Sequence, residues 1–156
     1  MKYELKLKPL CEVEACLALP VPVGRGSWGT RIIFPVEGGT VKGPGIHGKL
    51  SAFGSDWGLI RQDNCFELDV RILMETDDGA LIHTYYEGII DMSEEQVDTF
   101  LGGAIPEGLN IYVTPRFETS HDKYQWMTRI QAAGLGSVGI VNGRIVVSYS
   151  WYALGA

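Results

Sequence analysis

Hydrophobic and polar residues alternate along most of the chain, a pattern typical of β-strands whose two faces meet different surroundings. The clearest run is residues 66–88, FELDVRILMETDDGALIHTYYEG. Its first arm places one set of apolar side chains on a single face, namely Phe66, Leu68, Val70, Ile72 and Met74. Asp77, Asp78 and Gly79 are turn residues, so we predict a β-hairpin that returns through residues 80–88.

The register of this hairpin decides what its second face carries. If Asp78 and Gly79 form a two-residue turn, Arg71 lies opposite Tyr86 and Asp69 lies opposite Gly88. One face then bears a carboxylate, a guanidinium and a phenol. Two interpretations stay open: a solvated outer surface, where most charged residues lie, or a polar patch inside a barrel or cleft.

The rest of the chain also reads as short strands separated by glycine and proline. We predict strands at 3–17, interrupted near Pro9, and at 30–36, 40–50, 56–61, 110–118, 124–134 and 144–153. Residues 20–29 are predicted as a loop that holds Arg25 and Trp28. Residues 93–96 (SEEQ) form a capping box and predict one short helix that ends at Gly102-Gly103. The fold class is therefore all-β, a sandwich or a barrel.

Composition narrows the functional classes. A chain of 156 residues fits one domain, expected to span residues 1–156. The net charge is −6 and the basic residues form no run, so we expect no nucleic-acid partner. Because no stretch resembles a signal peptide or a membrane span, we expect a cytoplasmic protein without a membrane partner.

Cysteine and histidine spacing favours no metal site or cofactor. The three cysteines lack a CxxC pair, and His47, His83 and His121 lie far apart in the sequence. Gly24, Gly26 and Gly29 match a dinucleotide motif by spacing, but no helix follows them. The final strand is apolar on both faces, so it lies between two layers or meets a second subunit, and we expect a homo-oligomer.

Several segments resemble the DUF3237 family, also called UPF0311. They are residues 38–48, 55–88 and 112–129 and the closing hairpin, with Asp-Trp at 56–57, Leu-Asp-Val-Arg at 68–71, Thr-Asp-Asp-Gly-Ala at 76–80 and Pro-Arg-Phe-Glu-Thr at 115–119. The resemblance implies a closed or nearly closed antiparallel barrel, similar to calycin-type barrels, with a lumen that takes a small molecule.

The polar face of the central hairpin supplies candidate catalytic residues. Asp69 and Arg71 stand about 7 Å apart on one strand face and would pair if they pointed into a lumen. Arg71 with Tyr86 would then hold an anionic or enolate-like oxygen. The proton-transferring carboxylate would be Asp69, Asp56 or Glu118.

Flat aromatic side chains supply candidate substrate contacts. Trp57, Tyr124 and Trp126 could line a pocket for a cyclic ligand, or could simply fill the core. Arg116, two residues before Glu118, repeats the spacing of a basic and an acidic residue on one strand face.

Three functional hypotheses follow. The first is a cofactor-independent acid/base enzyme, of isomerase, cyclase or hydro-lyase type, that acts on a small, mostly apolar carbonyl compound. The second is a non-catalytic, lipocalin-like carrier of a small molecule, and the third is an oligomeric structural protein with a filled barrel. A lumen that is open to solvent and holds a carboxylate with a raised pKa near an arginine or a tyrosine would favour the enzyme. An apolar lumen with every charge paired would favour the carrier, and the absence of a cavity would favour the structural protein.

Overall fold

The computed structural model describes residues 2–155. In these residues, no helix is long and apolar enough to cross a membrane. The strands are β1 (Lys6–Leu17), β2 (Val21–Gly26), β3 (Gly29–Gly43), β4 (Ile46–Ile60), β5 (Cys65–Thr76), β6 (Leu81–Asp91), β7 (Ile111–Val113), β8 (Arg116–Glu118), β9 (Ala132–Val141) and β10 (Arg144–Gly155). Helix α1 spans Glu94–Leu101, and a 3₁₀ helix spans Asp122–Arg129.

The strands close into an antiparallel barrel, which confirms the predicted fold class. The sheet order is β1-β10-β9-β7-β6-β5-β4-β3, and β1 also pairs with β3, so eight strands form a ring. Strands β2 and β8 lie outside this ring and pair with β3 and β6 respectively. Inward side chains of every strand in the ring form one hydrophobic core.

The central hairpin is confirmed, but its predicted register is wrong by one residue. Glu75 pairs with Leu81, so residues 77–79 form a three-residue turn, which the Thr76 amide closes by donating to the Ala80 carbonyl at 2.9 Å. Val70 therefore faces Tyr86, and Arg71 faces Tyr85. Because side chains alternate, this one-residue shift moves Tyr86 to the opposite face from Arg71.

The first half of the chain differs from the prediction in where it turns. Strand β3 continues through Gly38 and Gly39 and ends at the turn formed by Pro44 and Gly45. The register shifts between Pro35 and Gly39, where β3 passes from its partner β2 to its partner β1. Gly39 has φ +154°, and a Cβ there would lie 2.0 Å from the Glu14 carbonyl oxygen. The two glycines thus bend a strand instead of ending it.

Residues 124–134, predicted as one strand, begin as the 3₁₀ helix. Tyr124 and Met127 are buried three residues apart, whereas Trp126 is 40% exposed, so the burial period is three and not two. The Tyr124 hydroxyl donates to Asp78 Oδ1 at 2.7 Å. This bond fixes the 3₁₀ helix over the barrel end where the β5–β6 turn lies.

Helix α1 covers the opposite barrel end. Its predicted capping box is present, since the Ser93 hydroxyl accepts from the Gln96 amide and the Gln96 side chain accepts from the Ser93 amide. The Phe100 ring packs against Phe34 and Phe66, at centroid distances of 6.0 and 5.8 Å. Both ends of the lumen are therefore covered.

Candidate functional site

A cavity of about 60 Å³ lies inside the barrel beneath α1. Most of its lining is apolar, with Phe34, Phe66, Leu68, Phe100 and Ile111 among the residues that form it. Three polar side chains share this lining: Asp56, Tyr86 and Tyr149. An ionisable group in such walls must be neutralised or hydrogen-bonded, so these three residues define the candidate site.

Asp56 enters the lumen from β4, where it pairs with Val70 of β5. Its Oδ1 accepts a hydrogen bond from the Asp69 amide at 3.0 Å. Burial is the largest influence and raises the pKa of Asp56 to about 7. The Asp69 amide bond and the positive charge of Arg31 oppose this rise, while the Asp69 carboxylate adds to it.

Tyr86 and Tyr149 are the other two polar residues of the cavity lining. Both are buried, and their rings meet edge to face with centroids 5.7 Å apart. Burial is the largest influence and raises the pKa of each phenol, and the hydrogen bond between them lowers the pKa of Tyr86 and raises that of Tyr149. The negative charge of Asp56 adds a smaller rise to both. The two hydroxyls therefore stay protonated at neutral pH, and Tyr86, which accepts from Tyr149, can donate to an anionic oxygen.

Asp69 and Arg71 lie on the outer face of the barrel, so of the two interpretations the solvated outer surface is correct and these two side chains are not brought into the lumen. They form an ion pair with their side chains 50% and 58% exposed. Strand alternation is the physical reason, because the apolar side chains of β5 fill the core and Asp69 and Arg71 occupy the positions between them. Asp69 still reaches the candidate site, through its amide and not its carboxylate.

The second arginine and carboxylate also lie outside the lumen. Arg116 approaches the Tyr85 hydroxyl at 3.5 Å, and Glu118, 81% exposed, lies 3.5 Å from His83. Phe117, between them, points inward and is buried. Strand alternation therefore separates the β8 charges from Asp56, and Glu118 is not brought into the candidate site.

The predicted substrate-binding aromatics are dispersed. Trp57 follows the inward Asp56 and so points outward, 48% exposed, into an outer groove of about 650 Å³ that Tyr112 also lines. Trp126 is exposed on the 3₁₀ helix, and Tyr124 is buried there with its hydroxyl on Asp78. None of these three lines the lumen cavity.

Tyr149 is the polar residue of the site that sequence reasoning missed. The signal was present, because Ile145, Val147, Tyr149 and Trp151 alternate with residues of the opposite face in the last strand. In the barrel this face points inward, and three of its four residues line the cavity.

Metal-binding residues are not gathered anywhere in residues 2–155. No group of three or more His, Cys, Asp or Glu side chains there has the arrangement to hold an ion. Burial raises the pKa of Cys11 to about 12, so this thiol stays protonated and is a poor ligand or nucleophile.

Comparison with known proteins confirms the resemblance. The family model described as "Protein of unknown function (DUF3237)" matches residues 5–154. The chain belongs to the DUF3237 family. A UPF0311 protein of Rhodopseudomonas palustris strain TIE-1 is 34% identical over 149 residues, which cover 94% of this chain and 96% of the relative.

Solved structures share the DUF3237 barrel. A β-barrel-like protein from Acinetobacter baumannii AYE is 31% identical, with a TM-score of 0.79 over 99% of both chains. A crystal structure described as an enzyme from Penicillium herquei matches with a TM-score of 0.68 and 20% identity, over 98% of this chain and 97% of that one. This second likeness shows the fold alone.

Proposed function

We propose that this DUF3237 protein is a cofactor-independent acid/base enzyme that moves a proton on a small, mostly apolar carbonyl compound in the barrel lumen. The observation that carries the proposal is a carboxyl group, Asp56, inside a mostly apolar cavity with its pKa raised to about 7. At that pKa both protonation states are populated near neutral pH, the condition under which a carboxyl group transfers protons in either direction most effectively.

The three polar residues divide the chemistry between them. Asp56 accepts a proton from the carbon beside the substrate carbonyl and later returns it to another atom. Tyr86 donates a hydrogen bond to the oxygen on which negative charge develops, and Tyr149 donates to Tyr86. The apolar walls strengthen both interactions, because charges are poorly screened there. Isomerisation, cyclisation and hydration or dehydration all use such a proton transfer.

Substrate entry requires movement of the α1 cover. A water molecule occupies about 30 Å³ of liquid, and ligand pockets measure about 300–1,000 Å³. The cavity of about 60 Å³ is therefore too small to hold such a ligand while the barrel stays closed. Of the α1 side chains, Val97 is buried and Phe100 lines the cavity, and the helix ends at the glycine pair 102–103. We place the entrance under Phe100.

Phe100→Ala is expected to tighten binding of a small ketone such as cyclohexanone, because it removes the ring that occupies the entrance. The variant should also lose about 2 kcal/mol of unfolding free energy, less than a fully buried phenylalanine would cost. Affinity is measured by NMR titration, and stability by urea unfolding. Leu101→Ala is the matched control, since Leu101 is 51% exposed and should change neither quantity. Unchanged affinity in Phe100→Ala would place the entrance elsewhere.

A non-catalytic carrier is the second candidate, because most of the cavity lining is apolar. Deuterium exchange separates the two functions. Cyclohexanone is incubated with the wild-type protein in D₂O, and loss of its α-proton signal is followed by ¹H NMR. The enzyme exchanges these protons faster than buffer at the same pH. A carrier broadens the ketone signals on binding but leaves the exchange at the buffer rate.

A further inference from the structure

Two buried polar atoms in the lumen have no hydrogen-bond partner. Within residues 2–155, they are Thr84 Oγ1 and Trp151 Nε1. The two residues are 0% and 1% exposed, so bulk water does not reach them. Folded proteins leave few such atoms, and one that persists needs an explanation.

Both atoms lie one layer deeper than the tyrosines of the candidate site. Thr84 precedes Tyr86 by two residues on the inward face of β6, and Trp151 follows Tyr149 by two residues on β10. The Trp151 ring contacts Tyr86 and Phe117, with centroids 5.4 and 5.9 Å apart. Phe117 is in turn the cross-strand partner of Thr84. Thr84 and Trp151 thus belong to one layer of the lumen.

The orientation of the Trp151 indole is set by packing. A Cβ on Gly134 would lie 2.3 Å from Trp151 Cδ1 and 2.8 Å from Nε1, so the ring occupies space that only glycine leaves free. An indole N–H can donate and cannot accept, whereas the Thr84 hydroxyl can do both. A fixed donor and a hydroxyl in the same layer of the barrel together match an oxygen acceptor.

We infer that Thr84 and Trp151 bind an oxygen atom at the deep end of the ligand. The ligand class is an apolar cyclic compound with two oxygen functions, one for the deep pair and one for the tyrosines beside Asp56. Only the contact between the second oxygen and the tyrosines rests on the proposed function.

Matched probes test the deep pair. Cyclohexanone carries one oxygen, and 1,4-cyclohexanedione carries a second at the opposite side of the same ring. The wild-type protein should bind the dione about tenfold more tightly than cyclohexanone, because a hydrogen bond to an otherwise unpaired buried group stabilises the complex. Thr84→Val and Trp151→Phe should each abolish this preference, and Thr84→Ser, which keeps the hydroxyl, should retain it.

The free protein supplies a second readout that does not need Trp151→Phe to fold. If Thr84 Oγ1 lacks a partner, Thr84→Val leaves the Tm unchanged or raises it. A Tm lowered by about 2–4 °C, together with an unchanged dione preference, would show a structural hydroxyl and overturn the inference. Exchange of cyclohexanone α-protons separates this failure from failure of the proposed function, because that exchange depends on Asp56 and not on the deep pair.

Discussion

Asp56→Asn should reduce the exchange of cyclohexanone α-protons to the rate in buffer alone, a fall of at least about 100-fold from the wild-type rate. The amide cannot accept a proton from carbon at neutral pH. It keeps the shape of the carboxyl group, and its oxygen can still accept the hydrogen bond that Asp56 receives from the Asp69 amide at 3.0 Å. The fold should therefore be retained, and ¹H NMR in D₂O measures the loss.

Asp69→Asn is the matched control for this prediction. It makes the same chemical change on the outer face of β5, on a side chain that is 50% exposed and paired with Arg71. Its backbone amide, which contacts Asp56, is untouched. Exchange should stay well above the buffer rate, because Asp56 is retained and the Asp69 charge is only one of the smaller contributions to its raised pKa. If the two variants lost exchange equally, the chemistry would belong to the outer face and the lumen assignment would be wrong.

The pH dependence of the wild-type rate adds an independent signature. Asp56 acts as a base in its ionised form, and its pKa is about 7. The exchange rate should rise about tenfold per pH unit below pH 7 and level off above it. An unperturbed carboxylate would already give the plateau near pH 5.

The parts of the fold that follow local rules were predictable from the sequence. Ser93 and Gln96 signal a helix start through their own side chains, and Asn142-Gly143 takes the positive φ values that its turn requires, 51° and 77°. Alternation likewise identified β5, β6 and β10. Each of these signals is contained in fewer than a dozen neighbouring residues.

The candidate site was not predictable in the same way, because it depends on which alternate residues of each strand point into the barrel. Asp-Asp-Gly is compatible with a two-residue or a three-residue turn, and the choice decides whether Arg71 or Val70 lies opposite Tyr86. Thr76 favours the longer turn, since its hydroxyl accepts from the Ala80 amide at 2.9 Å. That bond exists only once the turn has formed.

The 3₁₀ helix shows a second limit of pattern reasoning. Tyr124 and Trp126 alternate as strand residues would, but Tyr124 is held by Asp78, 46 residues earlier in the chain. Tertiary contact with the β5–β6 turn overrides the local period. Separately, the charged residues of the central hairpin lie outside the barrel, and the carboxyl group in the lumen belongs to β4.

The contribution of Asp56 to stability should fall as pH rises, whereas the contribution of an ordinary ion-paired carboxylate rises. The folded protein holds the Asp56 proton up to a pKa of about 7, whereas the unfolded chain releases it near the ordinary aspartate pKa of about 3.9. Between these values the folded state holds a proton at Asp56 that the unfolded chain has released, so the contribution of Asp56 to stability falls as pH rises from about 4 to about 7. One pKa unit corresponds to about 1.4 kcal/mol, so the loss amounts to about 4 kcal/mol.

Asp56→Asn removes this titration, and all other groups titrate alike in both proteins. The variant should match the wild type near pH 4 and exceed its unfolding free energy by about 4 kcal/mol at pH 8.5, as measured by urea unfolding across that range. Asp69→Asn, on the outer face, should show no such divergence. A difference that stayed constant with pH would mean that Asp56 is ionised in the closed barrel, and the lumen would then hold a fixed charge and not a proton carrier.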